Sequence, residues 1–100
     1  MGGINTIYIM YTISAKLTFW ISHAGSLKDK RQVGRSLIDK TRRRFNASVA
    51  EVDTQDVRQT LTVGVAVVSG EAAHARHCLD EIVRFMEATA DAELTGVEYD

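Results

Sequence analysis

Between Tyr11 and Ile21 the chain alternates without a break. Tyr11, Ile13, Ala15, Leu17, Phe19 and Ile21 take every second position, and Thr12, Ser14, Lys16, Thr18 and Trp20 fill the places between them. Successive side chains of a strand point to opposite faces, so this period of two makes one side of the segment apolar. Such a strand needs hydrogen-bonding neighbours at its edges and a layer over its apolar side. The remaining residues have to supply both.

They do so in a regular order. His23-Ala24-Gly25 makes a turn, and Ser26 caps a helix that runs to about Arg44, with Asp29 three residues on in a capping-box-like arrangement. On a helical wheel Leu27, Gly34, Leu37, Ile38, Thr41 and Phe45 gather on one side, with Val33 at its edge. Ala47 to Val52 reads as a short second strand, and Asp53-Thr54-Gln55-Asp56 as a turn or loop. Leu61, Val63, Val65 and Val67 alternate with polar or small residues in a third strand. Ser69 is expected to cap a second helix, about Glu71 to Ala88, with Ala75, Cys78, Leu79, Ile82, Phe85 and Met86 on its apolar side. Leu94 to Tyr99 closes the chain as a strand of weak alternation.

The order β-α-β-β-α-β predicts an α+β domain with the ferredoxin-like split β-α-β topology: a four-stranded antiparallel sheet with both helices on one face. Leu17, Phe19, Ile21, Leu37, Val63, Val65, Leu79 and Ile82 are its expected core. Residues 10–100 form the single domain, and residues 1–9 an N-terminal extension or a continuation of the first strand. No linker, repeat or proline interrupts the chain. A fold this common says almost nothing about function.

Composition narrows the classes. At 100 residues and 45% hydrophobic the chain can bury one core and is not a disordered tail. Cys78 is the only cysteine, which rules out an intrachain disulfide and points to a reducing compartment, the cytoplasm. No apolar run reaches the roughly 20 residues of a membrane helix, and the start lacks the basic segment of a signal peptide. Met1-Gly2 and Asn46-Ala47-Ser48 match short acylation and glycosylation patterns that carry no weight without a second signal.

Charge is where the sequence speaks of function. The net charge is −1, yet residues 28–44 hold eight basic residues against two acidic, a net of +6, while the rest of the chain carries a net of −7. Segregation of this kind suggests one surface for a polyanion. On the wheel Lys28, Arg31, Arg35 and Arg42 form a stripe beside the apolar face, with Arg43 further round and Lys40 and Arg44 on the opposite flank. These residues are the candidate RNA contacts, since arginine offers a fork of donors and a permanent charge. The alternative is a solvated helix in which Asp39 pairs with Arg35 and Arg43 at i±4.

Trp20, Thr18 and Lys16 share the sheet face away from the helices, with Thr62, Gly64 and Ala66 beside them if the register allows. One aromatic on that face suits association with a partner or a second copy better than base stacking, which uses aromatics on two strands. His74, His77 and Glu81 line one flank of the second helix, where a His77–Glu81 contact is expected in place of a metal. No phosphate loop, nucleophile elbow or acid–base pair is visible, so no enzyme, cofactor or small-molecule ligand is expected. Glu51, Asp53 and Asp56 read as hairpin acids.

A family resemblance joins these features. Ser26-Leu27-Lys28-Asp29-Lys30-Arg31, then Arg42-Arg43-Arg44-Phe45-Asn46-Ala47-Ser48-Val49-Ala50-Glu51-Val52, Gln55-Asp56 and Gly64-Val65-Ala66-Val67-Val68-Ser69 resemble the YlxP-like family of small bacterial domains. The resemblance covers about Met10 to Glu98 and implies a ferredoxin-like fold. It also implies a link to translation, through genes that lie among those for translation initiation and ribosome maturation, and no established reaction. Met10 stands where such chains usually start, Ser22 replaces a common proline, and Arg58 stands where an aromatic is frequent. The expectation is a small binding protein that meets ribosomal RNA or a ribosome-assembly particle through its basic helix. The alternative is a homodimeric protein–protein adaptor with no nucleic-acid contact.

Overall fold

The structure, a computed structural model, describes residues 9–100. Six elements follow one another: β1 (Tyr11–Trp20), α1 (Leu27–Arg44), β2 (Ser48–Glu51), β3 (Thr60–Ser69), α2 (Ala72–Thr89) and β4 (Glu93–Tyr99). The sheet is antiparallel throughout, in the order β2-β3-β1-β4. This is the ferredoxin-like arrangement. All but the last residue of the expected N-terminal extension lies outside the described residues.

The register explains why one side of the sheet is apolar. Ile13, Ala15, Leu17 and Phe19 of β1 stand opposite Val67, Val65, Val63 and Leu61 of β3, and Val49 of β2 stands opposite Val65. Both helices bury their stripes against this face, Leu37 from α1 and Ala75, Leu79, Ile82, Val83 and Met86 from α2, in one cluster. Every expected core residue is buried. Gly34 lets α1 lie close to the sheet, because a Cβ there would come within 3.1 Å of Leu61 Cδ1.

The start of α1 forms as the sequence predicts. Ser26 is extended and its hydroxyl accepts from the Asp29 N–H at 3.1 Å. The Asp29 carboxylate reaches back one residue further than in a standard capping box, to the Gly25 N–H at 3.0 Å. Ser26→Ala should lower stability by about 1 kcal/mol, read as a shift in the urea midpoint with the slope unchanged.

One local expectation is corrected, and another gains its cause. Ser69 ends β3 and its hydroxyl accepts from the Glu71 N–H at 3.1 Å, so it turns the chain without capping α2, whose N-cap Glu71 makes no side-chain cap bond. The weak alternation of β4 has a cause in a register shift: Thr18 pairs with Gly96 and Phe19 with Leu94, leaving Thr95 as the extra residue. Its hydroxyl donates to the Thr18 carbonyl at 3.0 Å. The bulge returns both Leu94 and Val97 to the core-facing side, although they are three residues apart.

Candidate nucleic-acid interface

The basic segment of α1 divides into cations that hold the fold and cations that face solvent. Lys30 belongs to the first group. Its side chain is 0% exposed, and its ammonium donates to the Thr54 carbonyl and, at 2.6 Å, to the Val57 carbonyl. Oε2 of Glu51 lies 3.1 Å away as counter-charge, buried and accepting no hydrogen bond. Glu51 is placed there by strand parity: it is two residues beyond Val49 on β2 and points to the helices as Val49 does. Lys30 therefore clamps the β2–β3 connection to α1.

That connection is tied from other sides as well. Gln59 Nε2 donates to the carbonyls of Ile21 and Ser22 at 3.3 and 3.1 Å. On the open sheet face Lys16 reaches Asp53 at 2.6 Å, with Asp53 in the left-handed region at φ 62°. The hydrogen bond and charge of Asp53 raise the Lys16 pKa above its ordinary value. Lys16 thus stays charged at neutral pH, and on the alkaline side the pair is lost as pH rises through that raised value.

Arg44 is also committed to packing. Its guanidinium lies over the rings of Phe45 and Phe85, 5.7 and 5.2 Å from their centroids, and the two rings meet edge to face at 5.4 Å. Arg42 is half committed: its Nη2 donates to the Val49 carbonyl at 2.5 Å. Val52 N–H bonds to the Thr62 carbonyl, so by alternation the Val49 carbonyl points away from β3 at the open edge of the sheet. Arg42 caps that edge, which exposes unpaired backbone groups elsewhere.

The remaining expected contacts face solvent. Lys28, Arg31, Arg35 and Arg43 are exposed. Arg31, Arg35 and Arg42 line a groove of about 300 Å³ between α1 and β2, with Gly34 and Ile38 among its other lining residues and Glu51 at its far side. Lys28 and Arg43 stand on the same helix outside this groove. Among the described residues, the ion pairs are Lys16–Asp53, His23–Asp91, Lys30–Glu51, Arg76–Asp80 and His77–Glu81. The i±4 pairing of Asp39 with Arg35 and Arg43 does not occur among these pairs, although Asp39 lines the same groove.

The second expected face is less uniform than its sequence suggests. Trp20, Thr18 and Lys16 do share the open side of the sheet with Thr62, Gly64 and Ala66. Trp20 is 47% exposed at one end, and the other exposed apolar groups, Met10 and Val68, lie at the opposite end. Between them is a dish of about 690 Å³ lined by Ser14, Ala50, Gly64 and Ala66 and bounded by the Lys16–Asp53 pair. Thr62 is only 3% exposed because the β2–β3 connection folds over it and the Thr54 hydroxyl meets its own at 2.9 Å.

On α2, His77 pairs with Glu81 at 2.9 Å, and His74 Nε2 lies 3.5 Å from Cys78 Sγ. Among the described residues no group of three or more metal-binding side chains converges, and no helix is long and apolar enough to cross a membrane.

Comparison with known proteins places the chain. A family model described as "Protein of unknown function (DUF503)" matches residues 12–99. The "Uncharacterized protein YlxP" of Bacillus subtilis (strain 168) is 32% identical over 75 residues, which is 75% of this chain and 82% of that protein. Among solved structures, the de novo designed protein Ferredog-Diesel aligns over 94% of this chain and 90% of its own at 13% identity, with a TM-score of 0.42.

Proposed function

The chain belongs to the DUF503 family of proteins of unknown function, and because that membership brings no reaction with it, we propose from the geometry that the protein binds RNA through the exposed flank of α1. The observation that carries this reading is the set of four exposed cations, Lys28, Arg31, Arg35 and Arg43, none of them paired with a carboxylate among the described residues. Arg42 adds a fifth charge, held in place by Val49. An array of this kind grips phosphates, which supply most of the non-specific affinity for nucleic acid.

A helix cannot read bases in the deep, narrow major groove of A-form RNA, so the grip is on backbone and shape. Sequence preference is correspondingly weak. The translation-linked gene neighbourhood implied by the family resemblance makes ribosomal RNA, or a ribosome-assembly particle in the cytoplasm, the first RNA to test. The protein is a binding module in this reading, with no catalytic step.

Binding to a ribosomal RNA fragment across a salt series tests it. If the four exposed cations each neutralise one phosphate of a single strand, log K falls against log salt with a slope near −3. A slope near zero, or capture of ribosomal particles that survives nuclease unchanged, counts against RNA and for an acidic protein surface.

A further inference from the structure

The two edges of the sheet carry opposite charge. At the β2 edge stand the exposed cations of α1. On the open side of the β4 edge stand Glu93, Glu98 and Asp100, exposed and in no ion pair among the described residues, with Glu98 across from Lys16 of β1. The two rows are also of comparable length. Arg31 to Arg42 is eleven residues of helix, about 16 Å at about 1.5 Å each. Glu93 and Glu98 stand opposite Trp20 and Lys16, four strand steps apart once the bulge is counted, about 13 Å at about 3.3 Å each. The net charge of −1 offers little overall repulsion to contact between copies.

We propose that copies of this chain associate head to tail, the acidic β4 edge of one covering the basic α1 flank of the next. Like edges repel, so contacts of β2 edge with β2 edge, or β4 edge with β4 edge, are disfavoured. The contact runs through side chains and not through added strand pairing, because Arg42 occupies the Val49 carbonyl and a bulge bends β4. A contact between two different surfaces adds copies until a ring closes or continues as an open chain, and in either case the average mass rises with concentration. The open sheet face is a poorer contact, with an ion pair at its centre and its apolar groups at opposite ends.

A second consequence rests on the reading of α1 as the RNA surface. The flank that binds RNA is the flank a neighbouring copy covers, so RNA and self-association exclude one another. The self-contact is measured without RNA, and the two ideas can fail separately.

Sedimentation velocity of the full chain at low salt is the test. The wild type should show an average mass that rises with concentration and returns to the monomer at high salt. Glu93→Lys/Glu98→Lys, with two basic edges, and Arg31→Glu/Arg35→Glu, with two acidic ones, should each be monomeric with wild-type circular dichroism. Mixed in equal amounts, they should associate with each other. Val68→Lys, on the open sheet face at the end away from the β4 pairing, should leave wild-type association intact. A wild type that is monomeric at every concentration overturns the proposal. So does a charge-variant mixture that stays monomeric, or loss of association in Val68→Lys, which moves the contact to the open sheet face.

Discussion

Lys30→Ala should destabilise the domain by about 3–5 kcal/mol, the cost of removing one partner of a buried ion pair. That is a large share of the roughly 5–15 kcal/mol available to a domain of this size. The substitution leaves the Glu51 carboxylate turned toward the helices without a counter-charge. It also strips the carbonyls of Thr54 and Val57 of a donor and opens a cavity where the lysine stem lay. Lys30→Met keeps most of that volume and isolates the electrostatic part, so it should fall between wild type and Lys30→Ala. Adding Glu51→Leu to Lys30→Met should recover part of the loss, since a carboxylate no longer has to be buried alone. Urea unfolding gives the stabilities. If Lys30→Ala shifts stability by less than about 1 kcal/mol, as an ordinary surface lysine would, the clamp is not what holds the β2–β3 connection.

Lys30 also shows where reading the sequence succeeds and where it stops. The alternations of β1 and β3, the Ser26 cap and the α2 stripe are local patterns, each set by residues two to four apart, and each recurs in the structure. Lys30 stands in the basic segment as one charge among eight. Yet on a wheel with Leu27 at zero it falls at about 300°, between Leu37 at about 280° and Gly34 at about 340°, in the middle of the apolar arc. The signal was present twice, because Glu51 sits at the matching inward position of β2. What the pattern could not supply is the pairing itself: the partners lie 21 to 27 residues away, brought back by the hairpin.

The same limit applies to the interface. Helical spacing puts Lys28, Arg31, Arg35 and Arg42 in one stripe, and the groove beside β2 gathers three of them. It does not say that Arg42 is tied to a sheet edge, that Arg44 lies over two aromatic rings, or that Asp39 leaves its i±4 neighbours unpaired. Each of these depends on what α1 packs against. Ser69 failed for a related reason, since a serine before a helix can cap it or end the preceding strand, and β3 runs two residues beyond its last buried valine, Val67.

The second large effect follows from that sorting. Lys28, Arg31 and Arg35 are exposed and make no bond to the rest of the domain among those recorded for the described residues, whereas Arg42 holds Val49. Reversing the first three to glutamate therefore removes most of the phosphate grip without touching the core. Glutamates in the N-terminal half of α1, Lys28→Glu above all, also suit the helix dipole. With three of four contacts gone, any binding left at low salt should show a slope weakened from about −3 to about −0.7, and the reversed charge repels what remains.

The decisive measurement is binding of Lys28→Glu/Arg31→Glu/Arg35→Glu to a ribosomal RNA fragment at physiological salt, with circular dichroism confirming the fold. Binding lost beyond detection by a folded variant is the predicted result, and binding equal to wild type by that folded variant would contradict the assignment of α1 as the RNA-binding surface.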